Sequence, residues 1–172
     1  VRNDIKPGNI LVTRNGRVII LDFGTAKSQQ PGQDQTATNA GIVGTPYYVA
    51  PEQIRGEHVD QRVDIYPLGV VLYEMLTGVR PFTGESAFDT MMAHLDSAAA
   101  PPSSLVPVPP ALDAIVLKAM ARDPNERFQT SADMSAALAA LRLGGAELAA
   151  LATLAKDRRA EVEARDEVKT AA

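Results

Sequence analysis

The chain has 172 residues, a net charge of −4, no cysteine and two histidines. That length suits one domain, or one large lobe with an extension, and a folded chain of this size buries roughly 70% of its unfolded surface. The charge leaves no basic footprint for nucleic acid, and the lack of cysteine excludes disulfide frameworks and thiolate metal sites. His58 and His94 are too few for a histidine metal cage and read as surface or satisfied polar positions.

No secretory pattern opens the chain, and its longest strongly apolar run, residues 148–155, is far short of the about 20 residues a membrane-spanning helix needs. The expectation is a cytoplasmic, soluble segment without a membrane span, whose parent has room for an anchor outside these residues. Opening on Val1 rather than Met favours a fragment.

In chain order, Ile10–Val12 and Val18–Leu21 are β-rich runs joined by Thr13–Arg17, where Asn15-Gly16 predicts a type I′ turn. Asn9 then stands just before the hairpin and Asp22 just after it, side by side. Residues 25–44 carry Gln, Thr, Gly and Asn without hydrophobic periodicity, a long loop of the kind that is functional or disordered. It runs into the turn-rich segment Gly44–Glu52. Asp64–Leu76 is apolar nearly all round and predicts a buried helix, with Pro67 in its first turn and Thr77-Gly78 as its stop. Ser86–Ser97 predicts a shorter helix, and the five prolines of residues 100–110 an irregular connector. Ala111–Arg122 places Leu112, Ile115, Val116, Ala119 and Met120 at helical spacing before Asp123-Pro124 ends it. Ser131–Leu143 carries Met134, Leu138 and Leu141 on one stripe. Gly144-Gly145 marks a boundary. The Ala-, Glu- and Arg-rich remainder is helical by propensity, but Arg158 and Arg165 fall where a heptad from Leu148 needs core residues, so a solvated helix or linker fits better than a coiled coil.

Two short runs carry the chemistry: Asp4-Ile-Lys6-Pro-Gly-Asn9 and Leu21-Asp22-Phe-Gly24. Two carboxylates, an amide and a lysine suit phosphoryl transfer, which needs positioning and charge neutralisation more than covalent chemistry. One carboxylate orients the attacking hydroxyl. The other, with an amide oxygen, suits Mg²⁺, which takes hard oxygen ligands.

The chain resembles the eukaryotic-like Ser/Thr protein kinases, especially their bacterial members, from residue 1 to about residue 142. The resemblance implies a mainly α fold with a short β-hairpin: the C-terminal lobe of the protein-kinase-like fold, with the N-terminal lobe absent. It implies a kinase lobe over 1–143 and a helical extension or linker over 144–172. By similarity Asp4 is the catalytic base, Lys6 contacts the γ-phosphate of ATP, and Asn9 and Asp22 hold Mg²⁺ (or Mn²⁺) bridging the phosphates. Lys6 and Thr45 look like the Ser/Thr branch, Thr45 hydrogen-bonding the catalytic aspartate. Thr36 and Thr38 look like paired autophosphorylation threonines, or are simply polar loop residues. Ala50-Pro51-Glu52 matches the motif closing the activation segment, Glu52 pairing with Arg127 as a buried structural ion pair. Asp64 accepts backbone hydrogen bonds from the catalytic loop.

Arg2 and Asn3 stand where the family has His-Arg, so the histidine that packs under Asp-Phe-Gly and the arginine that clamps a loop phosphate are both lacking. No Gly-rich loop or strand lysine precedes Asp4. Val116-Leu117-Lys118 superficially matches that lysine motif, but lies on an amphipathic helix and reads as surface. The expected partners are protein substrates with Ser/Thr acceptors and the N-terminal lobe of the same parent. The expected activity is ATP-dependent phosphorylation of protein Ser/Thr hydroxyls by that parent, the 172 residues alone binding ATP weakly. The alternative is a truncated pseudokinase acting as a protein-binding module.

Overall fold

The computed structural model describes residues 5–21, 46–147, 149–154 and 156–157. A 3₁₀ turn, Pro7–Asn9, leads into β1 (Ile10–Val12), which pairs antiparallel with β2 (Val18–Ile20). The register sets Ile10 opposite Ile20 and Val12 opposite Val18. A second 3₁₀ turn, Pro46–Tyr48, precedes α1 (Pro51–Ile54), and a third, Gln61–Asp64, runs into α2 (Ile65–Thr77). Helices α3 (Ala87–Asp96), α4 (Pro110–Ala119) and α5 (Ser131–Ala140) follow. Residues 145–147, 149–154 and 156–157 are again helical. Among the described residues the protein is mostly helical, with one two-stranded sheet.

The hairpin turn differs from the two-residue I′ type expected. Gly16 N–H donates to the Thr13 carbonyl at 2.9 Å, and Gly16, the turn's one glycine, takes a left-handed φ of +79°. Thr13 N–H donates to the Arg17 carbonyl and Arg17 N–H to Thr13 Oγ1. Thr13 and Arg17 thereby form one more cross-strand pair, leaving three residues in the connection, the form that ends in a left-handed glycine.

Helix α2 is the centre of the core. Its Tyr66, Val70 and Tyr73 pack with Ala50, Val63, Phe82, Val116 and Met120 on one side. Its Ile65 packs with Ile115, Ala119, Phe128 and Met134 on the other. The nearly all-round apolar pattern thus meets protein on most faces, Met75 being the exposed exception. Gly78 ends the helix in the left-handed region with its N–H on the Glu74 carbonyl. Helices α3 and α5 start in reciprocal caps, Ser86 with Asp89 and Thr130 with Asp133. Helix α5 stops at Ala140, three residues before the expected end. Its apolar stripe still continues into the loop, where Leu141 packs on the second cluster.

At Gly69 of α2, an added Cβ would sit 2.8 Å from Ala119 Cβ and from Met120 Cγ. The two helices meet here at backbone distance. Alanine is the better helix former by about 1 kcal/mol, yet Gly69→Ala is expected to lower unfolding stability by about 1–3 kcal/mol net because α4 must move away. Gly145→Ala, with no atom within 4 Å of its added Cβ, serves as control in the same urea titration. A Gly69→Ala protein as stable as the parent would contradict this packing.

Candidate active site and its structural supports

The first run enters the described region at Ile5, which is buried. Lys6 is half-exposed and its carbonyl accepts Asn9 N–H at 2.9 Å, closing the 3₁₀ turn that Pro7 is shaped to begin. Asn9 is buried, whereas Gly8 is exposed, so the turn directs the amide inward. The Asn9 carbonyl accepts Leu21 N–H at 2.7 Å, extending the hairpin by one rung beyond Ile10 and Ile20. Asn9, the last residue of one run, and Leu21, the first of the other, therefore stand at the same end of the hairpin. Asp4, Asp22, Thr36, Thr38 and Thr45 lie outside the described residues, as do Arg2 and Asn3.

Glu52 and Arg127, 75 residues apart, meet in a bidentate pair: Nη1 to Oε1 at 2.7 Å and Nη2 to Oε2 at 2.6 Å. Arg127 also donates Nε–H to the Ala121 carbonyl, Nη1 to Arg62 and Nη2 to Arg122. All five guanidinium donors are used, while the Tyr66 ring covers one face at 4.9 Å. Both side chains are buried, so the geometry answers the cost of desolvating two charges. Arg62 braces this region from the surface. Its guanidinium holds both Asp60 oxygens and reaches Asn125 and Gln129, and the hydrogen bonds from the Arg62 side chain and main chain draw the Asp60 carboxyl down to about 2. Asp64, half-buried, closes the 3₁₀ turn at the entry to α2.

Two clusters were not foreseen from sequence. In the first, Tyr48 donates its hydroxyl to Glu74 at 2.5 Å, Arg80 holds the other Glu74 oxygen at 3.4 Å, and the Arg80 guanidinium lies 3.8 Å over the Tyr47 ring. Burial and the adjacent Glu74 carboxylate push the Tyr48 hydroxyl up to about 12. In the second, His94 is wholly buried, so of its two expected readings it takes the polar interior one, with one of its two ring nitrogens bonded. Its Nδ1 is 2.8 Å from the Tyr66 hydroxyl, and its ring leans on Phe82 at 4.7 Å. Burial lowers its pKa to about 4, against a smaller opposing pull from the Tyr47 main chain. Neither cluster leaves a local signal, because its members lie 26 and 28 residues apart. Lys118, by contrast, is exposed on α4 as expected, its ammonium 4.7 Å from the Phe128 ring.

Among the described residues no group of three or more His, Asp or Glu is arranged to hold a metal, and no single helix is long and apolar enough to cross a membrane. Comparison with known proteins matches the protein kinase domain model to residues 1–138. The chain is 43% identical over 151 residues to a probable serine/threonine-protein kinase PknB of Bifidobacterium longum, covering 87% of this chain and 22% of that protein. It is 43% identical over 147 residues to the serine/threonine-protein kinase PknB of Mycolicibacterium smegmatis, covering 85% of this chain and 24% of that protein. A probable serine/threonine-protein kinase of Corynebacterium efficiens matches at 38% over 175 residues, covering 99% of this chain and 25% of the relative. The chain thus spans about a quarter of the length of the curated relatives it matches. With 138 of its 172 residues matched, it belongs to the protein kinase domain family, in its bacterial Ser/Thr branch.

Proposed function

We propose that residues 1–143 form the C-terminal lobe of a Ser/Thr protein kinase whose N-terminal lobe belongs to the same parent protein, and that 144–172 is a helical extension or linker. The parent transfers the γ-phosphate of ATP to Ser or Thr hydroxyls of proteins. The observation that carries this reading is the rung between Asn9 and Leu21, which sets the last residue of one polar run beside the first residue of the other. In this reading Asp4 orients and deprotonates the acceptor hydroxyl, and Lys6 neutralises the moving phosphate. Asn9 and Asp22 are hard oxygen donors for Mg²⁺ or Mn²⁺. The inward amide of Asn9 fits that role, and the metal, when bound, draws charge from the phosphate oxygens. Thr45 holds Asp4, Thr36 and Thr38 receive regulatory phosphate, and Asp64 fixes the catalytic loop. Cytoplasmic placement fits the relatives' named activity and the need for ATP.

The test is phosphate transfer by the parent kinase and its variants. Asp4→Asn and Asp22→Asn are each expected to lower the rate by about 10²–10⁴-fold, and the 172-residue chain alone to transfer negligible phosphate. Wild-type rates in Asp22→Asn, or transfer by the isolated chain, would overturn the reading. The second reading, a pseudokinase binding module, is favoured by Arg2 and Asn3 standing where the family has His-Arg. An inactive wild-type parent that still binds ATP-independent partners would select it.

A further inference from the structure

Among the described residues the sheet has two strands, so the outer edge of β2 is open. Leu21 N–H donates to the Asn9 carbonyl and Thr13 N–H to the Arg17 carbonyl, which makes Asn9:Leu21 and Thr13:Arg17 hydrogen-bonded pairs. Antiparallel ladders alternate such pairs with non-bonded ones. Ile10:Ile20 and Val12:Val18 are therefore non-bonded pairs, and the N–H and C=O groups of Val18 and Ile20 point away from β1. All of β2 is exposed, Val18 by 60%. The outer edge of β1 differs, because the Pro7–Asn9 turn packs on that strand and ends its extended run at Ile10. On β2 the rung at Leu21 carries the extended run further.

The side chains suit that edge. The register puts Ile10, Val12, Val18 and Ile20 on one face of the ribbon and Leu11 and Ile19 on the other. Both faces are apolar, the pattern of strands that are covered on both sides. A lone hairpin is marginal in water, whereas a sheet of three or more strands with an apolar face can stand by itself. The charges are lopsided along β2. Arg14 and Arg17 lie at the tip of the hairpin, and at the other end Leu21 is followed in the chain by Asp22. Lys6 precedes β1, not β2.

We propose that the outer edge of β2 is a self-association site whose partner is β2 of a second copy of this chain, the two strands running antiparallel about a two-fold axis at Ile19. In that register Val18 of one copy lies opposite Ile20 of the other. Every outward N–H and C=O of those two residues then finds a partner, and both apolar faces continue across the seam. Arg17 falls opposite Leu21 of the other copy, next in sequence to Asp22, so the basic end of each strand meets the acidic end of its mate. The antiparallel arrangement also sends the two basic tips to opposite ends of the joined sheet. Such a contact is isologous and closes at a dimer. It is independent of the kinase reading, and phosphate transfer by the parent has no bearing on it.

Two measurements on the 172-residue chain test it. Sedimentation equilibrium is expected to show a reversible dimer, and Val18→Lys, which sets a charge on the pairing edge, to raise its dissociation constant at least about tenfold. The chain has no cysteine, so a single introduced one reports the register. Ile19 meets its own copy at the axis in a non-bonded pair, where Cα atoms lie about 4.5 Å apart, within the span a disulfide bridges. Ile19→Cys is expected to form a covalent dimer under mild oxidation, and Val12→Cys, exposed on β1, is not. A wild-type chain that stays monomeric up to about 1 mM overturns the proposal. So does a dimer that Ile19→Cys fails to cross-link, one that Val12→Cys cross-links as fast, or one that Val18→Lys leaves unchanged. The cross-link requires no change at Val18, so it decides the matter even if Val18→Lys does not fold.

Discussion

Replacing Arg127 with methionine is expected to lower unfolding stability by about 3–5 kcal/mol, the largest single-residue effect in this molecule. The loss is not the worth of one ion pair. Methionine fills most of the volume but leaves the buried Glu52 carboxylate without its countercharge, and the carbonyls of Arg62, Ala121 and Arg122 without a donor. Glu52→Gln is expected to cost less. It keeps hydrogen-bond capacity opposite the guanidinium, and the three carbonyls still hold Arg127. Urea midpoints of Arg127→Met, Glu52→Gln and the double variant measure the coupling directly. If Arg127→Met unfolds within 1 kcal/mol of wild type, or the double variant shows the simple sum, the pair is a passive neighbour contact. Arg127→Lys is no rescue, because an ammonium cannot match a planar fork of five donors.

Stability is also expected to fall as the solution is made acidic, beginning near the ordinary histidine pKa. The folded His94 titrates at about 4 and the unfolded one at about 6.5. Above 6.5 both forms are neutral and the group contributes no pH dependence. Between 6.5 and 4 the unfolded chain binds a proton that the folded chain refuses, so stability declines as pH falls, by up to about 3 kcal/mol. Below 4 both forms are charged and this contribution is flat. The groups around the imidazole are the neutral Tyr66 hydroxyl and the Tyr47 main chain, with the Glu52–Arg127 pair beyond the Tyr66 ring. Glu52, the carboxylate among them, already has both oxygens held by Arg127 and does not stabilise the proton. A second decline is expected from 3.8 towards 2, where Asp60 loses its bonds to Arg62. Urea midpoints between pH 8 and 3 resolve the two, and His94→Gln should remove the first while keeping the second. A wild-type profile flat from pH 6.5 to 4 would contradict the burial of a neutral histidine.

What could be read from the sequence was local or came through resemblance. The stripe from Leu112 to Met120 and the stop at Gly78 depend on spacings of a few residues, and they appear where expected. The Glu52–Arg127 pair spans 75 residues; no periodicity indicates it, and only the likeness of two motifs to a known family suggested it. Helix α1 leaves no sequence signal because Pro51–Ile54 is a single turn, too short for any apolar pattern, and is held by Gln53 reaching back to Ala50 N–H. The hairpin turn departs from the I′ type because Thr13 serves both as strand end and as side-chain acceptor, which shifts the count by one. Tyr48, Glu74 and His94 were invisible because each finds its partner only after α2 has packed. Of the site itself, the inward Asn9 and the rung to Leu21 follow from the Pro-Gly-Asn run and the β-rich pair.

The hairpin carries a further consequence. Leu11, Val12 and Val18 are 48–63% exposed, and an isolated two-stranded hairpin is marginal in water. Yet this hairpin fixes the position of Asn9. A ligand gripped through Asn9 and a partner seated on those bare side chains would draw on the same ordering free energy. Each would then raise the affinity of the other by one common factor, since linkage between two binding events is reciprocal. Affinity for a ligand at Asn9 and affinity for a partner on the hairpin are, on this view, two readings of a single equilibrium.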